Sequence, residues 1–151
     1  MWGGFPGEWE GEHPHSVARE VGEDGIFFVG WRGHTELPDG LGSADVMVAP
    51  SAREGFGQML VEAMACGLPV IATRSGGPTS FVNTEPGSPN GWLLDPDDDE
   101  RLVEVLIEAV NDEDTRLRRG EAAYRQVRQA HSWDAVALRF GEVYEELLAS
   151  R

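Results

Sequence analysis

The sequence predicts an α/β fold built on a parallel β-sheet, followed by a run of C-terminal helices. From Gly25 onward, short apolar runs alternate with longer amphipathic ones, which is the pattern of βαβ units. After Leu94 the pattern becomes helical. The chain has 151 residues, of which 40% are hydrophobic and 26% are charged, so it has the size and composition of one globular domain.

Four short apolar runs are the candidate strands. They span Ile26–Gly30, Asp45–Pro50, Pro69–Thr73 and Gly91–Leu94. Between them the sequence predicts a short helix over Thr35–Ser43, a helix over Gly57–Cys66, and a turn or short helix over Gly77–Asn83. Gly67 directly follows the middle helix, where a C-terminal glycine is expected, and a proline that cannot continue the helix comes two residues later.

Three helices are predicted after the last strand. The run "DPDDDERLVEVLIEAV" places acidic residues on the first turn of a helix, where the helix dipole favours negative charge. One face of that helix is expected to carry Leu102, Val105, Leu106 and Val110. The next two helices are predicted over Asp114–Ala130 and Ser132–Ala149, with Ser132 as an N-cap.

The charge of the chain limits its partners. The net charge is −15, so a nucleic-acid backbone or an anionic membrane would be repelled, whereas a small anion bound by local backbone donors remains possible. All 12 basic residues are Arg, so no lysine can hold a phosphate or form a Schiff base. The lone Cys66 cannot pair within the chain, which fits a reducing compartment.

The N-terminal part is unusual for this fold. Residues 1–24 are Gly- and Pro-rich and are predicted to be an irregular lead-in, in which "MWGGF" looks like the tail of a strand. We therefore expect that an upstream part, with the first central strand, is missing. The start lacks the features of a signal peptide, and no apolar run reaches the ~18 residues of a membrane span, so a cytoplasmic protein is expected.

The segment "REGFGQMLVEAMACGLPVIAT" carries the candidate site. Glu54 and Glu62 are separated by seven residues, and Gln58 lies four residues before Glu62, on the same helical face. The rest of the helix is apolar, so we expect it to be covered on most sides, with its polar line facing a cleft. The residues alone leave another interpretation open, in which Glu62 marks a narrow solvent edge and Glu54 is an ordinary loop acid.

Glycines at the start of this helix favour a ligand site. Gly55 and Gly57 bracket Phe56 where the preceding strand gives way to the helix, and glycine allows a ligand to approach the backbone closely. Free amides at a helix N-terminus bind anions, and ligands of open α/β sheets lie beyond the carboxyl ends of the strands. The helical rise places the two carboxylates on the order of 10–12 Å apart, which suits the two ends of an extended ligand.

At this point the residues resemble a known family, the retaining nucleotide-sugar glycosyltransferases with the GT-B fold, family 4 in the usual grouping. The two glutamates seven residues apart match its motif. The similarity extends over residues 26–148, through "FFVGWRGHTELPDGLGSADVMVAPS", "GLPVIATRSGGPTSFV", "GWLLDPDD" and "HSWDAVALRFGEVYEEL". It implies a Rossmann-like, C-terminal half of a GT-B fold that binds the donor.

The resemblance also implies roles for individual residues. Glu54, the candidate catalytic residue, would bind hydroxyls of the donor sugar, and Glu62 would bind the ribose hydroxyls. Sugar and diphosphate would be held at the start of the helix, by Gly55 and by the backbone amides of Phe56, Gly57, Gln58 and Met59. The loop that contains Trp31 and Arg32 would lie against the base. The expected donor is a UDP-, GDP- or ADP-sugar, the acceptor a carbohydrate or lipid, and no cofactor, metal or nucleic acid is expected.

The sequence departs from the family pattern in three respects. By resemblance, an Arg and Lys pair would neutralise the leaving diphosphate and an N-terminal domain would bind the acceptor, and neither is found among these residues. Thr79, Ser80 and Phe81 stand where a Glu often follows the double-glycine loop. By resemblance, the last helix would cross back onto the missing domain, and any peripheral membrane association would come from that domain.

Several other signals have alternative interpretations. Arg32, Arg53 and Arg74 each follow a predicted strand, and one of them could contact phosphate. Trp31 could stack on a base or be a half-buried loop aromatic. The histidines at 13 and 15 lack further metal ligands nearby, and helix capping explains "DPDDD" better than a metal site does.

Two further functions remain open. The chain could be a non-catalytic nucleotide-binding or interaction module, or, as a weaker possibility, a sugar-nucleotide epimerase. The absence of G-x-S-x-G, P-loop and G-x-G-x-x-G motifs argues against the usual hydrolase, NTPase and dinucleotide-binding classes.

Overall fold

A computed structural model describes residues 13–22, 25–30 and 32–150 of the chain. The chain divides into two compact units, residues 1–40 and residues 41–151. In the first unit, helix α1 spans Pro14–Val21 and is N-capped by the side chain of His13. The ring of His15 stacks on Phe28, with 3.6 Å between the ring centroids. The short helix α2 spans Leu37–Gly42, inside the range predicted for it.

The predicted strand at Ile26–Gly30 is wrong. Residues 26–29 form no regular element, and only Gly30 makes an isolated bridge. Ile26 is 40% exposed, and Phe27 is 77% exposed. Strands of a parallel sheet are buried on both faces, and residues 26–29, which are exposed or only half-buried, lack that burial.

The second unit is an α/β structure with a parallel sheet, as predicted, and this sheet has three strands. Its elements, in chain order, are β1 (Met47–Ala49), α3 (Gln58–Ala65), β2 (Val70–Thr73), α4 (Pro78–Phe81), β3 (Gly91–Leu94), α5 (Asp99–Asn111), α6 (Glu113–Ala130) and α7 (Trp133–Ala149). The strand order is β1-β2-β3, with Met47 opposite Val70 and Val70 opposite Gly91. Every residue of the central strand β2 is buried, as expected for a parallel sheet covered on both faces.

Helices cover both faces of this sheet. Successive residues of a strand point to opposite faces, and β2 follows that rule. Val70 and Ala72 belong to one apolar cluster, which includes Leu60 and Met64 of α3. Ile71 belongs to a second cluster, with Val105 of α5. The sheet therefore lies in the middle of the core, and the loops at the carboxyl ends of its strands lie along one edge.

Helix α3 ends as the sequence predicts. Gly67 adopts a left-handed φ of 83°, its N–H donates to the carbonyl of Met64 at 3.0 Å, and the N–H of Leu68 donates to Ala63 at 3.1 Å. This pair of bonds is the Schellman arrangement, which satisfies carbonyls that the helix leaves open. Gly120 of α6 lies directly over Gly67, because a Cβ at residue 120 would fall within 3.0 Å of the Gly67 carbonyl oxygen.

The C-terminal helices begin on side-chain caps. Asp98 accepts a hydrogen bond from the N–H of Arg101 at 3.0 Å, which confirms that the "DPDDD" run caps α5. Ser132 caps α7, as predicted. The predicted apolar face of α5 is wrong at Val110, which is 70% exposed, because α5 turns Ala109 into the core in its place.

Helix α7 has no buried residue among those described. Its large apolar side chains are exposed, including Trp133, Leu138, Phe140 and Tyr144. Within the ranges that the structure describes, no helix has both the length and the apolar character needed to span a bilayer.

Candidate functional site

The loop between β1 and α3 places Glu54 beside the start of the helix. Gly57, the residue before α3, has a left-handed backbone with φ 90° and ψ 44° and is buried. A Cβ at this position would lie 3.2 Å from Phe81 Cζ and 3.5 Å from Glu54 Cγ. The side chain of Glu54 therefore folds back against Gly57, and glycine is required there for both its backbone conformation and its small size.

The first turn of α3 presents backbone donors. Across residues 13–22, 25–30 and 32–150, no oxygen accepts a hydrogen bond from the N–H groups of Phe56, Gly57, Gln58 and Met59, and no side chain caps the helix. We call these four groups the free amides. Unbonded amides at a helix N-terminus, together with the positive end of the helix dipole, are the arrangement with which proteins commonly bind anions.

The double-glycine loop lies against the same backbone. The N–H of Gly77 donates to the carbonyls of Glu54 at 3.3 Å and of Gly55 at 3.1 Å. A Cβ at Gly76 would come within 3.0 Å of the Glu54 oxygen, and a Cβ at Gly77 would come equally close to the backbone of Phe56. The contact between the two loops is therefore backbone against backbone, and no pattern in the sequence predicts it.

Two hydroxyl groups connect the loops that follow β1 and β2. The Thr73 hydroxyl donates to the carbonyl of Ser51. Ser75 Oγ donates to the same oxygen at 3.0 Å and lies 2.9 Å from Thr73 Oγ1. These bonds fix the spacing between the two loops at the carboxyl edge of the sheet.

Core residues support the double-glycine loop from below. Asn90 is fully buried, and its Nδ2 donates to the carbonyl of Phe81 at 2.9 Å. Gln126 of α6 donates to that same carbonyl at 2.7 Å. Because α4 follows the loop directly, these bonds anchor it to β3 and to α6.

The polar line along α3 is confirmed. Gln58 Nε2 donates to Glu62 Oε1 at 2.9 Å, so the two side chains lie on one face, as their spacing predicts. The prediction that the helix is covered on most sides is wrong. Leu60, Ala63 and Met64 are buried, but Met59 is 46% exposed, Gln58 is exposed and Glu62 is only half-buried.

The charge of Glu62 affects its neighbour one turn later. Partial burial raises the pKa of the Cys66 thiol, and the negative charge of Glu62 raises that pKa further. Cys66 is therefore a neutral thiol at pH 7, without the thiolate character of a nucleophile.

The structure brings together most of the predicted site residues. Glu54, Gly55, Phe56, Gly57, Gln58, Met59 and Glu62 lie along one loop and the helix that it starts. Arg32 is exposed in the first unit, and Trp31 lies outside the described residues. Arg53 is exposed, whereas the Nε of Arg74 pairs with Asp95 Oδ1 at 3.3 Å. Within the described ranges, no three His, Cys, Asp or Glu side chains are grouped as metal ligands.

An aromatic cluster behind the free amides was missed in the sequence analysis. The ring centroid of Phe56 lies 5.8 Å from that of Phe81 and 6.1 Å from that of His131. His131 is also edge-on to Phe81 at 6.1 Å. These residues are far apart in the sequence and share no periodic pattern, so the sequence gives no sign of their contact. The fold brings them together because His131 lies at the junction of α6 and α7.

Comparison with known proteins identifies relatives among sugar transferases. The chain is 37% identical over 122 residues to a D-inositol 3-phosphate glycosyltransferase of Corynebacterium jeikeium. This alignment covers 81% of this chain and 28% of that protein. The chain is 36% identical over 108 residues to the sulfoquinovosyl transferase of Arabidopsis thaliana, covering 72% of this chain and 21% of that protein. The chain thus spans less than a third of the length of these relatives.

Solved structures with the same fold give a consistent result. Sucrose-phosphate synthase from Thermosynechococcus elongatus superposes with a TM-score of 0.77 at 33% identity, covering 91% of this chain and 34% of that one. Anabaena HepE, in complex with UDP and glucose, superposes with a TM-score of 0.70 at 26% identity, covering 91% and 35%. The family model described as "Glycosyl transferases group 1" matches residues 7–126. The chain therefore belongs to the group 1 glycosyl transferases.

Proposed function

We propose that this chain supplies the donor site of a retaining glycosyltransferase, which moves a sugar from a nucleoside diphosphate to an acceptor hydroxyl. The observation that carries the proposal is the row of free amides at the start of α3, with Glu54 before it and Glu62 after it. A diphosphate fits the amides, because helix N-termini bind anions. Ionised carboxylates only accept hydrogen bonds, so they suit the hydroxyl-rich groups on either side of that diphosphate.

The two acids have different tasks in this proposal. Glu54 precedes the free amides and accepts hydrogen bonds from the donor sugar. Glu62 follows them by one turn and accepts from the ribose hydroxyls. Gln58 already donates to Glu62 Oε1, so it holds that carboxylate in position and leaves the second oxygen for the ligand.

The transfer itself needs positioning and charge stabilisation more than acid and base groups. The bond between the anomeric carbon and the diphosphate oxygen breaks, and its electron pair stays on the diphosphate. The acceptor oxygen bonds to the same face of the sugar, and its proton passes to the departing diphosphate. Amides aimed at the charge that develops on the leaving group lower the barrier to this step.

UDP is the first nucleotide to test, since HepE was solved with UDP and with UDP-glucose. Trp31 and Arg32 are the proposed contacts to the base. The acceptor, a carbohydrate or a lipid, would bind to a further domain, and the exposed apolar side chains of α7 are the surface that such a domain would cover.

Calorimetric titration of the chain with UDP, GDP and ADP tests this proposal. We expect one of the three to bind, and we expect Glu62→Gln to weaken that binding about tenfold, since a hydrogen bond to a charged group contributes about 1.5–3 kcal/mol. Glu121→Gln is a matched control, because Glu121 also contacts a side chain one turn away, Arg125 at 3.2 Å. Binding that Glu62→Gln leaves unchanged would contradict the ribose assignment.

A non-catalytic nucleotide-binding module is the second candidate, and one observation favours it. The chain contains no lysine, and Arg74 pairs with Asp95, so neither a lysine nor an unpaired Arg74 is available to neutralise a leaving diphosphate. This candidate predicts binding of UDP without turnover. Turnover of UDP-glucose to UDP by the chain, abolished by Glu54→Gln but kept in Glu121→Gln, would exclude it.

A further inference from the structure

We propose that Gly77 is a positioning residue of the donor site, which sets the place of Glu54 and of the first free amide through backbone contact alone. This inference rests on the proposed function, because it concerns how the same site is held in shape. It assigns a role to the double-glycine loop that needs no side chain and no contact with the ligand.

The contact has two parts. The Gly77 N–H donates to the carbonyls of Glu54 and Gly55, which ties the segment just before the free amides to the loop after β2. In addition, Gly77 lies so close to the Phe56 backbone that a Cβ would clash with its Cα, carbon and oxygen atoms. The backbone of Gly77 is in the ordinary helical region, with φ −50° and ψ −45°, so close approach and not conformation requires glycine here.

The loop itself is firmly held, so it can position its neighbour. Ser75 Oγ bonds to Ser51 on one side of the loop. On the other side, Asn90 and Gln126 hold the Phe81 carbonyl. A methyl group at residue 77 would therefore displace the less supported segment, residues 54–56, in which Gly55 and Phe56 are exposed.

The displacement should affect one end of the ligand more than the other. Glu62 lies within α3, which the buried side chains of Leu60 and Met64 fix to the core. Glu54 lies in the loop that Gly77 contacts. Moving that loop should weaken binding of the donor sugar more than binding of the nucleotide.

Gly120 provides a matched control at the other end of α3. A Cβ at Gly120 would also clash with a backbone oxygen, that of Gly67, and the residue is buried in α6. Gly120→Ala therefore introduces the same methyl group and a comparable clash, away from the free amides. It reproduces the loss of stability without the displacement of Glu54.

The experiment compares dissociation constants for UDP and UDP-glucose in the wild-type chain, Gly77→Ala, Gly120→Ala and Ser75→Ala. The measured quantity is the ratio of the dissociation constant for UDP to that for UDP-glucose, which gives the affinity gained from the glucose group. In Gly77→Ala we expect this ratio to fall about tenfold, because one hydrogen bond to a charged group is lost, while the affinity for UDP changes less. Gly120→Ala should keep the wild-type ratio. Ser75→Ala removes one hydrogen bond without a clash, so it should fold even if Gly77→Ala does not and should shift the ratio in the same direction.

Each result decides the proposal. An unchanged ratio in Gly77→Ala and Ser75→Ala, or an equal change in Gly120→Ala, would overturn it. If the wild-type chain binds neither ligand, the proposed function fails, and backbone amide NMR shifts test the positioning separately. Residues 54–59 should then shift in Gly77→Ala, or in Ser75→Ala if the former is unfolded, but not in Gly120→Ala. Unmoved shifts in residues 54–59 would overturn the positioning role.

Discussion

The two ends of helix α3 have similar glycines but differ in how their backbone hydrogen-bonding groups are satisfied. Each end has a left-handed glycine, Gly57 with φ 90° and Gly67 with φ 83°. A further glycine approaches the backbone near each end: Gly77 approaches Phe56, the residue before Gly57, and Gly120 approaches the carbonyl of Gly67. At the C-terminal end the Schellman bonds satisfy the carbonyls of Ala63 and Met64, whereas the four free amides at the N-terminal end find no acceptor within the described residues.

This difference in hydrogen bonding indicates that a ligand is expected at the N-terminal end of α3. Backbone groups that no protein atom satisfies are costly unless water or a ligand satisfies them. Helices α5, α6 and α7 of the same chain all begin on a side-chain cap, from Asp98, Asp112 and Ser132. The short helix α4, which follows the double-glycine loop, also starts without a side-chain cap, so both uncapped starts of the second unit lie in the two loops that meet at the candidate site. The following predictions test how far the two ends of α3 differ.

The largest effect is expected from truncating the two methionines of α3. Met64 is fully buried near the C-terminal end of α3, so Met64→Ala should lower the free energy of unfolding by about 2–5 kcal/mol, through lost contacts and the cavity that remains. Met59 is 46% exposed at the N-terminal end, so Met59→Ala should change the free energy of unfolding by about 0.5 kcal/mol or less. Urea unfolding of both variants measures the difference, and similar losses would show that the N-terminal end is as well packed as the C-terminal end.

A smaller effect is expected from adding one methyl group at each left-handed glycine. A Cβ at Gly67 meets no atom within 4 Å, so Gly67→Ala should cost only the backbone strain, about 1–2 kcal/mol. A Cβ at Gly57 lies 3.2 Å from both Leu60 Cδ1 and Phe81 Cζ, so Gly57→Ala should cost more. Thermal unfolding of the two variants tests this order, and a larger loss in Gly67→Ala would reverse our account of the two ends.

The smallest effect is expected at the start of α6, which a side chain caps. Asp112 accepts from the side chain and the backbone N–H of Thr115, and these bonds lower the pKa of Asp112 below its ordinary 3.8. A depressed carboxyl pKa adds stability that is present above the unfolded pKa and is lost as the pH falls through the folded pKa. Asp112→Ala should therefore lower the melting temperature at pH 7, and the difference from the wild type should narrow below pH 3.8.

Thr115→Ala tests the cause of that pH dependence. It removes the Thr115 hydroxyl that donates to Asp112 Oδ2 at 2.7 Å, so the pKa of Asp112 should move back towards its ordinary value. Melting curves between pH 2 and 7 should then show a shallower dependence than the wild type. An unchanged dependence would mean that other carboxylates dominate the acid range.

Elements with a strong local signal were predictable from the sequence. Strand Gly91–Leu94 has its predicted bounds, and α3, β2 and α7 lie within one residue of theirs at each end. Gly67 and Ser132 act as predicted, because a left-handed glycine and an N-cap serine make bonds only to residues nearby in the chain. The spacing of Gln58 and Glu62 likewise sufficed to place them on one face.

Features that depend on distant residues were not predictable. The run at residues 26–30 has the composition of a strand, but residues 26–29 form no regular element and Gly30 makes only an isolated bridge. Val110 and Ala109 both fit the period of an apolar face, and the packing of α5 on the sheet selects Ala109. The contact of Phe56 with His131 joins residues 75 positions apart, for which one sequence holds no periodic signal.

The sequence by itself determined the class of fold, the order of the second unit's elements and the residues that flank the free amides, since periodicity, capping and motif spacing act over a few residues. Only the tertiary structure decided that the double-glycine loop holds Glu54 and Phe56 in place. That contact is made by backbone atoms, which every residue type shares, so the glycines indicate that something approaches closely but not what it is. The segment that approaches is decided by the pairing of β1 with β2, which brings the loops after the two strands together.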